Sequence, residues 1–355
     1  MDALSEILKV VQLNGAIFFN ARFTAPWCVA SPAAASLAHA LGLGAERVLL
    51  YHYMLEGSCL ITLEGMTPLH LKAGEIIVFP HGDAHTMASS TGAQPQQMDA
   101  QAILRERPKV LNFGGGGEVT RFVCGYMVCD PRLFQPILAA LPRVVTVSLR
   151  GVDPAHWLEA SLQHAAEEAN EPRPGAEGVL AKLSEVMVVE TLRRYAAQLS
   201  PHDTGWLSGL RDRAVGKCLA LMHEKPAHPW TVDSLAREVA TSRSVLAERF
   251  THFVGHSPMQ YLGRWRMALA TNYLRRSSLS LASIAEEVGY ETDAAFSRAF
   301  RREFGVPPAT WRRMHAGNRV ASDAPPSLAE RQIRPARARS VTPARETLRA
   351  GRGGR

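Results

Sequence analysis

Hydrophobic positions change rhythm along the 355-residue chain. Up to about residue 150 they come in short runs. These are Val48–Leu55, Ser58–Leu63, Pro68–Leu71, Ile76–Phe79, Val119–Val128 and Val144–Val147, with turn signals at Gly57, Gly65, Gly74 and Gly82. Short apolar runs bounded by glycine predict strands, and a succession of them predicts a small sandwich or barrel. Gly114–Gly117 precedes a strand rather than a helix, so it predicts a flexible loop and not a phosphate cradle. From 153 to 199 the spacing predicts two helices. In the second, Val179, Leu180, Leu183, Val186, Met187 and Leu192 roughly follow a helical face. Such a face serves either a core or a dimer seam. Pro201–Ser208 then reads as a linker.

Beyond residue 209 the pattern repeats itself. Phe250, Gly255, Pro258 and Tyr261 return 50 residues later as Phe300, Gly305, Pro308 and Trp311. Upstream, Leu235-Ala-x-x-Val239 returns 49 residues later as Ile284-Ala-x-x-Val288. The one-residue difference falls before Phe250 and Phe300, and an insertion belongs in a turn, so each copy predicts helix, turn, helix. In the first copy Val232, Leu235, Ala236 and Val239 form one stripe, with Thr231 placed to cap the start. After the turn, Ser242 caps a second helix that buries Val245, Leu246, the Arg249 stem, Phe250 and Phe253. In the second copy Ser280 and Thr292 are the caps, Gly289 ends the first helix, and Phe296, Phe300 and Phe304 form the second stripe. Pro258 to Arg276 predicts a connecting helix of roughly 27 Å. That length suits two recognition helices about one DNA turn, roughly 34 Å, apart.

Charge agrees with this division. The chain carries +7 overall, but residues 1–208 are net −5, residues 209–315 net +6 and residues 316–355 net +6. A basic C-terminal half fits a polyanionic partner. Residues 316–355 are rich in Arg, Pro, Ala and Gly with almost no large apolar residues, which predicts a disordered basic tail. Cys28, Cys59, Cys124, Cys129 and Cys218 are odd in number and form no Cys-x-x-Cys pair, which points to free thiols in a reducing compartment. There is no signal-like N-terminus and no apolar run of roughly 20 residues. A cytoplasmic protein without a membrane partner is expected.

In a helix-turn-helix unit the exposed N-terminal residues of the second helix meet base edges in the major groove. Those are Arg243, Ser244, Ala247 and Glu248 in the first copy, and Asp293, Ala294, Ser297, Arg298 and Arg301 in the second. Arg243 and Arg298 are the principal candidates, because arginine is the commonest donor to guanine. Arg264, Arg266, Arg275 and Arg276 flank the connecting helix as candidate phosphate contacts.

The stretch from Gly289 through Phe296-Ser-Arg-Ala-Phe300 to Gly305-Val-Pro-Pro308 resembles the signature of AraC-type transcription regulators. So does Ser242–Phe250 followed by Gly255-His-Ser-Pro258. The resemblance covers about residues 209–315 and implies a seven-helix DNA-binding domain. By position it implies base contacts from Ser244, Ala247 and Glu248, and from Asp293, Ala294, Ala295, Ser297 and Arg298. Farther upstream, Gly74-x5-Pro80-x-Gly82-x2-His85 resembles the second motif of cupins, and Leu55-Glu56-Gly57 before an apolar strand agrees. In this family such a domain implies effector sensing. Metal-binding cupins add a His-x-His pair and a Glu. Here the Glu position falls near Leu50 and no His-x-His precedes it, so no metal and no cofactor is expected.

Strand alternation places Leu50, His52, Met54 and Glu56 on one face. His52 and Glu56, joined by His81 and His85, are therefore the candidate effector contacts. The expected fold is α+β and multidomain: a cupin-like β-barrel with flanking helices, then an all-α domain with two helix-turn-helix units. The expected boundaries are 1–150 for the sensor, 151–200 for a helical dimerisation or packing segment, 209–315 for the DNA-binding domain and 316–355 for the tail. The expected function is a non-enzymatic, sequence-specific DNA-binding transcription regulator under small-molecule control. Its expected partners are double-stranded DNA, an effector, a second copy of itself and the transcription machinery. The alternatives are a thiol-based redox sensor and a metal-dependent cupin enzyme fused to a DNA-binding domain.

Overall fold

The computed structural model describes residues 2–11, 13, 19–40, 47–92, 94, 96–97, 110–150, 157, 160–161, 163–164, 174–200 and 202–315. The first helix expected between 153 and 199 lies largely outside the described residues, as does the basic tail at 316–355.

The chain opens with helix α1 (Ala3–Val10), whose N-cap Asp2 accepts from the Ser5 N–H at 2.9 Å. Two sheets follow. The larger has the order β11-β6-β3-β10-β1-β9, built from β1 (Phe19–Thr24), β3 (Arg47–Glu56), β6 (Glu75–Phe79), β9 (Val110–Gly114), β10 (Val119–Cys129) and β11 (Val145–Ser148). The smaller has the order β5-β4-β7-β2-β8, built from β2 (Cys28–Ser31), β4 (Ser58–Thr62), β5 (Leu69–Lys72), β7 (His85–Ala88) and β8 (Gln96–Gln97). Helix α2 (Ala34–Ala40) joins β2 to β3 and packs on β3. This is the cupin-like barrel expected from the sequence, with β1, β2, β7, β8 and β9 added to the runs that were legible.

The central strands of the larger sheet are buried on both faces, and strand alternation divides their residues except at the end of β3. Ala21, Phe23, Leu50, Met54, Ile77, Phe79, Phe122 and Cys124 point inward and meet Val29, Cys59, Ile61, Leu71 and Met87 of the smaller sheet. Leu49, Tyr51, Tyr53, Ile76, Val78, Val123, Met127 and Cys129 point outward into a second core built with helices. That second core takes in α1, the short helix α3 (Gln135–Leu138) and the long helix α4 (Ala176–Gln198). Tyr51 Oη lies 2.8 Å from Ser184 Oγ on α4, and the Ser184 hydroxyl also donates to the Leu180 carbonyl at 3.0 Å. Cys124 and Cys129 thus face opposite sides of one strand, as alternation requires, and cannot join in a disulfide without rebuilding it.

The glycine run is not the flexible loop expected from its composition. Gly115 N–H donates to the Thr24 carbonyl at 2.9 Å, Gly116 N–H to Thr24 Oγ1 at 2.9 Å, and Gly117 N–H to the Ala25 carbonyl at 2.8 Å. The run crosses over the end of β1 so closely that a Cβ on Gly114 would meet Thr24 O at 1.9 Å. Glycine is required here for close backbone approach.

The C-terminal half is helical throughout: α5 (Trp206–Arg211), α6 (Arg213–Glu224), α7 (Val232–Glu238), α8 (Arg243–Val254), α9 (Pro258–Arg276), α10 (Leu281–Glu287), α11 (Asp293–Phe304) and α12 (Pro308–His315). Helices α6–α12 supply the seven implied by the resemblance. The expected caps form: Thr231, Ser242, Ser280 and Thr292 each accept the N–H three residues on, at 3.0–3.3 Å. Each such cap contributes about 1 kcal/mol. Leu246 and Phe250 on α8, and Phe296 and Phe300 on α11, are buried in the core continuous with the outer face of the barrel. Val245 departs from expectation. It is 42% exposed, because the adjacent Leu246 takes the core-facing position.

Candidate functional site

The two recognition helices, α8 and α11, start in the same way. A hydroxyl cap precedes four residues of which the fourth, Leu246 or Phe296, turns inward, leaving the first two exposed. On α8 the exposed end carries Arg243, Ser244 and Glu248, with Ala247 half-buried. Arg243 Nη1 lies 3.3 Å from Asp233 Oδ2 on α7, and Ser244 Oγ lies 3.2 Å from Ser242 Oγ. Arg249 turns the other way and pairs with Asp212, which also caps α6. On α11, Asp293, Ala294, Arg298 and Arg301 are exposed, while Ala295 and Ser297 are half-buried. The side chains of Arg298 and Arg301 make no hydrogen bond or ion pair among the described residues. The second unit therefore presents two uncommitted guanidinium groups, and the first unit's arginine is already held.

Of the expected phosphate contacts, Arg266 is structural. Its guanidinium donates to the carbonyls of Pro226 at 2.7 Å and His228 at 2.8 Å. Arg264 bonds His256, and Arg275 pairs with Asp130 in the barrel at 2.9 Å.

Behind the first unit lies a buried polar cluster. Tyr261 Oη accepts from Trp206 Nε1 at 2.8 Å and donates to His223 Nε2 at 2.7 Å. The His223 ring sits against Trp265 with centroids 4.3 Å apart. Burial holds its pKa down at about 3, so the ring is neutral.

Inside the barrel, two of the four candidate effector contacts meet. His52 Nε2 and His85 Nε2 are 2.8 Å apart, and His52 Nδ1 lies 2.7 Å from Cys124 Sγ. Cys124 is the cross-strand partner of His52 in the β10–β3 register, which is why the thiol arrives there. Hydrogen-bond polarity runs one way along this array. The Asp83 carbonyl, 3.0 Å from His85 Nδ1, only accepts. His85 therefore donates from Nδ1 and accepts at Nε2, His52 donates from Nε2 and accepts at Nδ1, and the Cys124 S–H donates. Both imidazoles are neutral in this arrangement. Burial lowers the His52 pKa well below its usual value, assisted by the neighbouring His85, and burial lowers His85 to about 4. Burial likewise raises the Cys124 thiol. The His85 ring stacks on Phe79 at 3.8 Å.

The other two candidates fall elsewhere. Glu56 is exposed at the end of β3. The register shifts between Arg121 and Phe122, which pair with Glu56 and Met54, so Leu55 is an extra residue that breaks the alternation. His81 is half-buried and bonds the Leu141 carbonyl at 3.0 Å, away from the pair. Cys124 and the charged corner after β10 were not legible as site residues, because the register that aligns them is set by pairing and not by any local motif. Among the described residues no group of three or more His, Cys, Asp or Glu is arranged to hold a metal ion.

A two-sheet barrel followed by twin helix-turn-helix units with exposed recognition helices defines a DNA-binding protein with an attached sensor-type domain. Comparison with known proteins agrees. The cupin family matches residues 2–197, and the helix-turn-helix domain family matches residues 235–314. A protein of Streptomyces lividans described as an AraC-like transcription regulator is 32% identical over 315 residues, covering 88% of this chain and 98% of that one. The HTH-type transcriptional regulator AlkR of Acinetobacter baylyi is 29% identical over 326 residues, covering 88% of this chain and 99% of that one. The chain belongs to the AraC-type transcription regulators that carry an N-terminal cupin domain. No helix among the described residues is long and apolar enough to cross a membrane.

Proposed function

We propose that this regulator is a cytoplasmic, non-enzymatic protein that reads DNA chiefly through α11 and answers to a small molecule at the barrel. The observation that carries the reading is the pair of exposed, uncommitted guanidinium groups of Arg298 and Arg301 on a capped recognition helix. Arg298 is assigned to a guanine edge and Arg301 to a neighbouring base or phosphate, with Asp293, Ala294 and Ser297 completing the surface. On α8, Arg243, Ser244, Ala247 and Glu248 form a weaker second surface, since Arg243 must leave Asp233 to reach DNA. The sensor is assigned to residues 1–150 and the DNA-binding domain to 209–315. Within the barrel, His52 and His85 are the effector-facing pair. Thiol sensing receives less support, since all five cysteines are buried.

Helix α4, in the 151–200 segment, is assigned to self-association. It buries Leu180, Met187, Val188 and Leu192, yet it leaves Val179 and Val186 exposed seven residues apart. A dimer would then offer four recognition helices to two half-sites, and bound DNA would bring the protein to the transcription machinery.

The test is a gel shift of the purified protein on DNA upstream of its own and neighbouring genes, with excess competitor at a stated salt concentration. Discrete complexes that survive competition are expected. Smears that vanish with competitor, with and without cell-extract metabolites, would overturn the reading.

A further inference from the structure

The turn that follows β10 is where the barrel grips the second helix-turn-helix unit. Asp130 organises it. Its Oδ1 accepts from the Arg132 N–H at 2.9 Å and the Leu133 N–H at 3.4 Å, which closes the turn. Its Oδ2 accepts from Arg275 Nη1 at 2.9 Å, one residue from the end of α9. The carboxylate side chain is 8% exposed and the guanidinium 22%, so solvent screens this pair far less than a surface pair. The same turn aims Arg132, whose guanidinium lies 5.3 Å from the Trp311 ring centre and 6.0 Å from that of Phe304. One short corner thus holds α9, the end of α11 and α12.

This corner is in direct line with the barrel interior. Cys124, bonded to His52, lies six residues before Asp130 on the same chain, about 20 Å along a strand. Displacement of β10 at its inner face is carried to Asp130 without an intervening loop. At the far end, a carboxylate and a DNA phosphate are alternative acceptors for one guanidinium. Arg275 stands beside Arg276 at the end of the helix that spaces the two recognition helices.

We propose that Asp130 and Arg132 form an intramolecular latch on the second helix-turn-helix unit, in which Asp130 occupies the Arg275 guanidinium that a DNA phosphate takes when the latch opens. The inference rests on the reading of this protein as a DNA-binding regulator. It makes DNA affinity depend on the position of β10, and so on events at His52 and Cys124.

The experiment titrates full-length wild type, Asp130→Asn, Arg132→Ala, Arg275→Ala and the Asp130→Asn/Arg275→Ala double variant by fluorescence anisotropy. The probe is a labelled duplex selected by the wild type from a random-sequence pool, at salt from about 50 to about 200 mM. Asparagine keeps the Oδ1 acceptor that closes the turn and removes the charge. Asp130→Asn is expected to bind about tenfold more tightly at the lowest salt, within the usual range of such couplings. Its log–log salt slope should steepen by about 0.9, the signature of one added phosphate contact. Adding Arg275→Ala should return both quantities to or below the wild-type values. Arg132→Ala should tighten binding without changing the slope, because it frees rings and not a phosphate-binding charge. Unchanged or weaker binding by Asp130→Asn with an unchanged slope overturns the latch, as does a gain that survives loss of Arg275. If thermal melts show Asp130→Asn unfolded, Arg132→Ala decides, and unchanged or weaker binding by it overturns the proposal. If neither the wild type nor any variant retains a duplex, the DNA-binding reading itself fails, which is distinct from binding with the wrong slope.

Discussion

Recognition helices α8 and α11 are both 12 residues long, both begin on a hydroxyl cap and both end on a glycine at positive φ, Gly255 and Gly305. Each buries a phenylalanine eight positions after its cap, Phe250 and Phe300. The two recognition helices share length, cap, buried phenylalanine and terminating glycine. Their surfaces differ. The first unit offers an arginine bound to Asp233, a serine and a glutamate, while the second offers Arg298 and Arg301 uncommitted. The backing differs too: the first unit rests on the neutral His223–Tyr261–Trp206 cluster, and the second is gripped by the Asp130 corner. The positions that fold the unit recur in both copies, while the exposed faces and the packing behind them differ.

The largest expected effect comes from acid. His223 and His85 have pKa values lowered from 6.5 to about 3 and about 4 by burial. As the pH falls below 6.5, the unfolded chain takes up protons that the folded chain refuses. Stability is therefore complete above pH 6.5 and is lost as the pH falls toward 4 and then 3. Each histidine accounts for on the order of 3–5 kcal/mol. Thermal melts across this range should show a steep fall that His223→Gln and His85→Gln each make shallower. A flat profile would contradict the neutral, buried assignment.

Next come the shared cores. Phe250→Ala and Phe300→Ala should each cost about 3–5 kcal/mol in denaturant unfolding, since both rings are fully buried. A large inequality between them would break the equivalence of the two scaffolds.

The repeat made this part of the molecule legible in advance. Its offset located the turns, its apolar stripes located the core, and its hydroxyls located all four caps. The barrel was legible only where apolar runs were long. Strand β1, Phe19–Thr24, alternates apolar and polar residues strictly but presents no continuous apolar run, and β2 and β7 are short with small or polar members, so alternation and pairing, not an apolar run, mark them as strands. The site was half legible. His52 and His85 could be placed near one another from a motif and an alternation. The bulge at Leu55 that removes Glu56, the thiol brought opposite His52, and the Asp130–Arg275 pair 145 residues apart all depend on register and tertiary packing.

Binding should separate the two surfaces more finely. Arg298→Ala is expected to weaken binding to a selected operator by about 1–3 kcal/mol and to relax preference at one base pair. Arg243→Ala should cost less, on the order of 1 kcal/mol or below, because its guanidinium already has a carboxylate partner in the free protein. Equal losses would remove the asymmetry between the units.

The smallest effects lie in the turns, where the copies differ by one residue. Ala240 holds φ +54°, a region that side chains resist, and Gly289 occupies the matching place at φ +77°. Ala240→Gly should stabilise the fold by about 0.5–1 kcal/mol. Gly289→Ala should destabilise it by about 1–2 kcal/mol or more, since its Cβ would meet the Ala227 carbonyl at 2.7 Å.

If twin units read sequence as proposed, the second unit, with Arg298 and Arg301 uncommitted, should dominate. The direct test is a base-pair-by-base-pair substitution scan of one selected operator, measured with the wild type and with Arg298→Ala. A cluster of strongly preferred positions that loses a guanine when Arg298 is removed is expected. A weaker cluster about one helical turn away that is unaffected is also expected. A scan in which no position matters, or in which the strong cluster survives Arg298→Ala unchanged, would contradict the proposal.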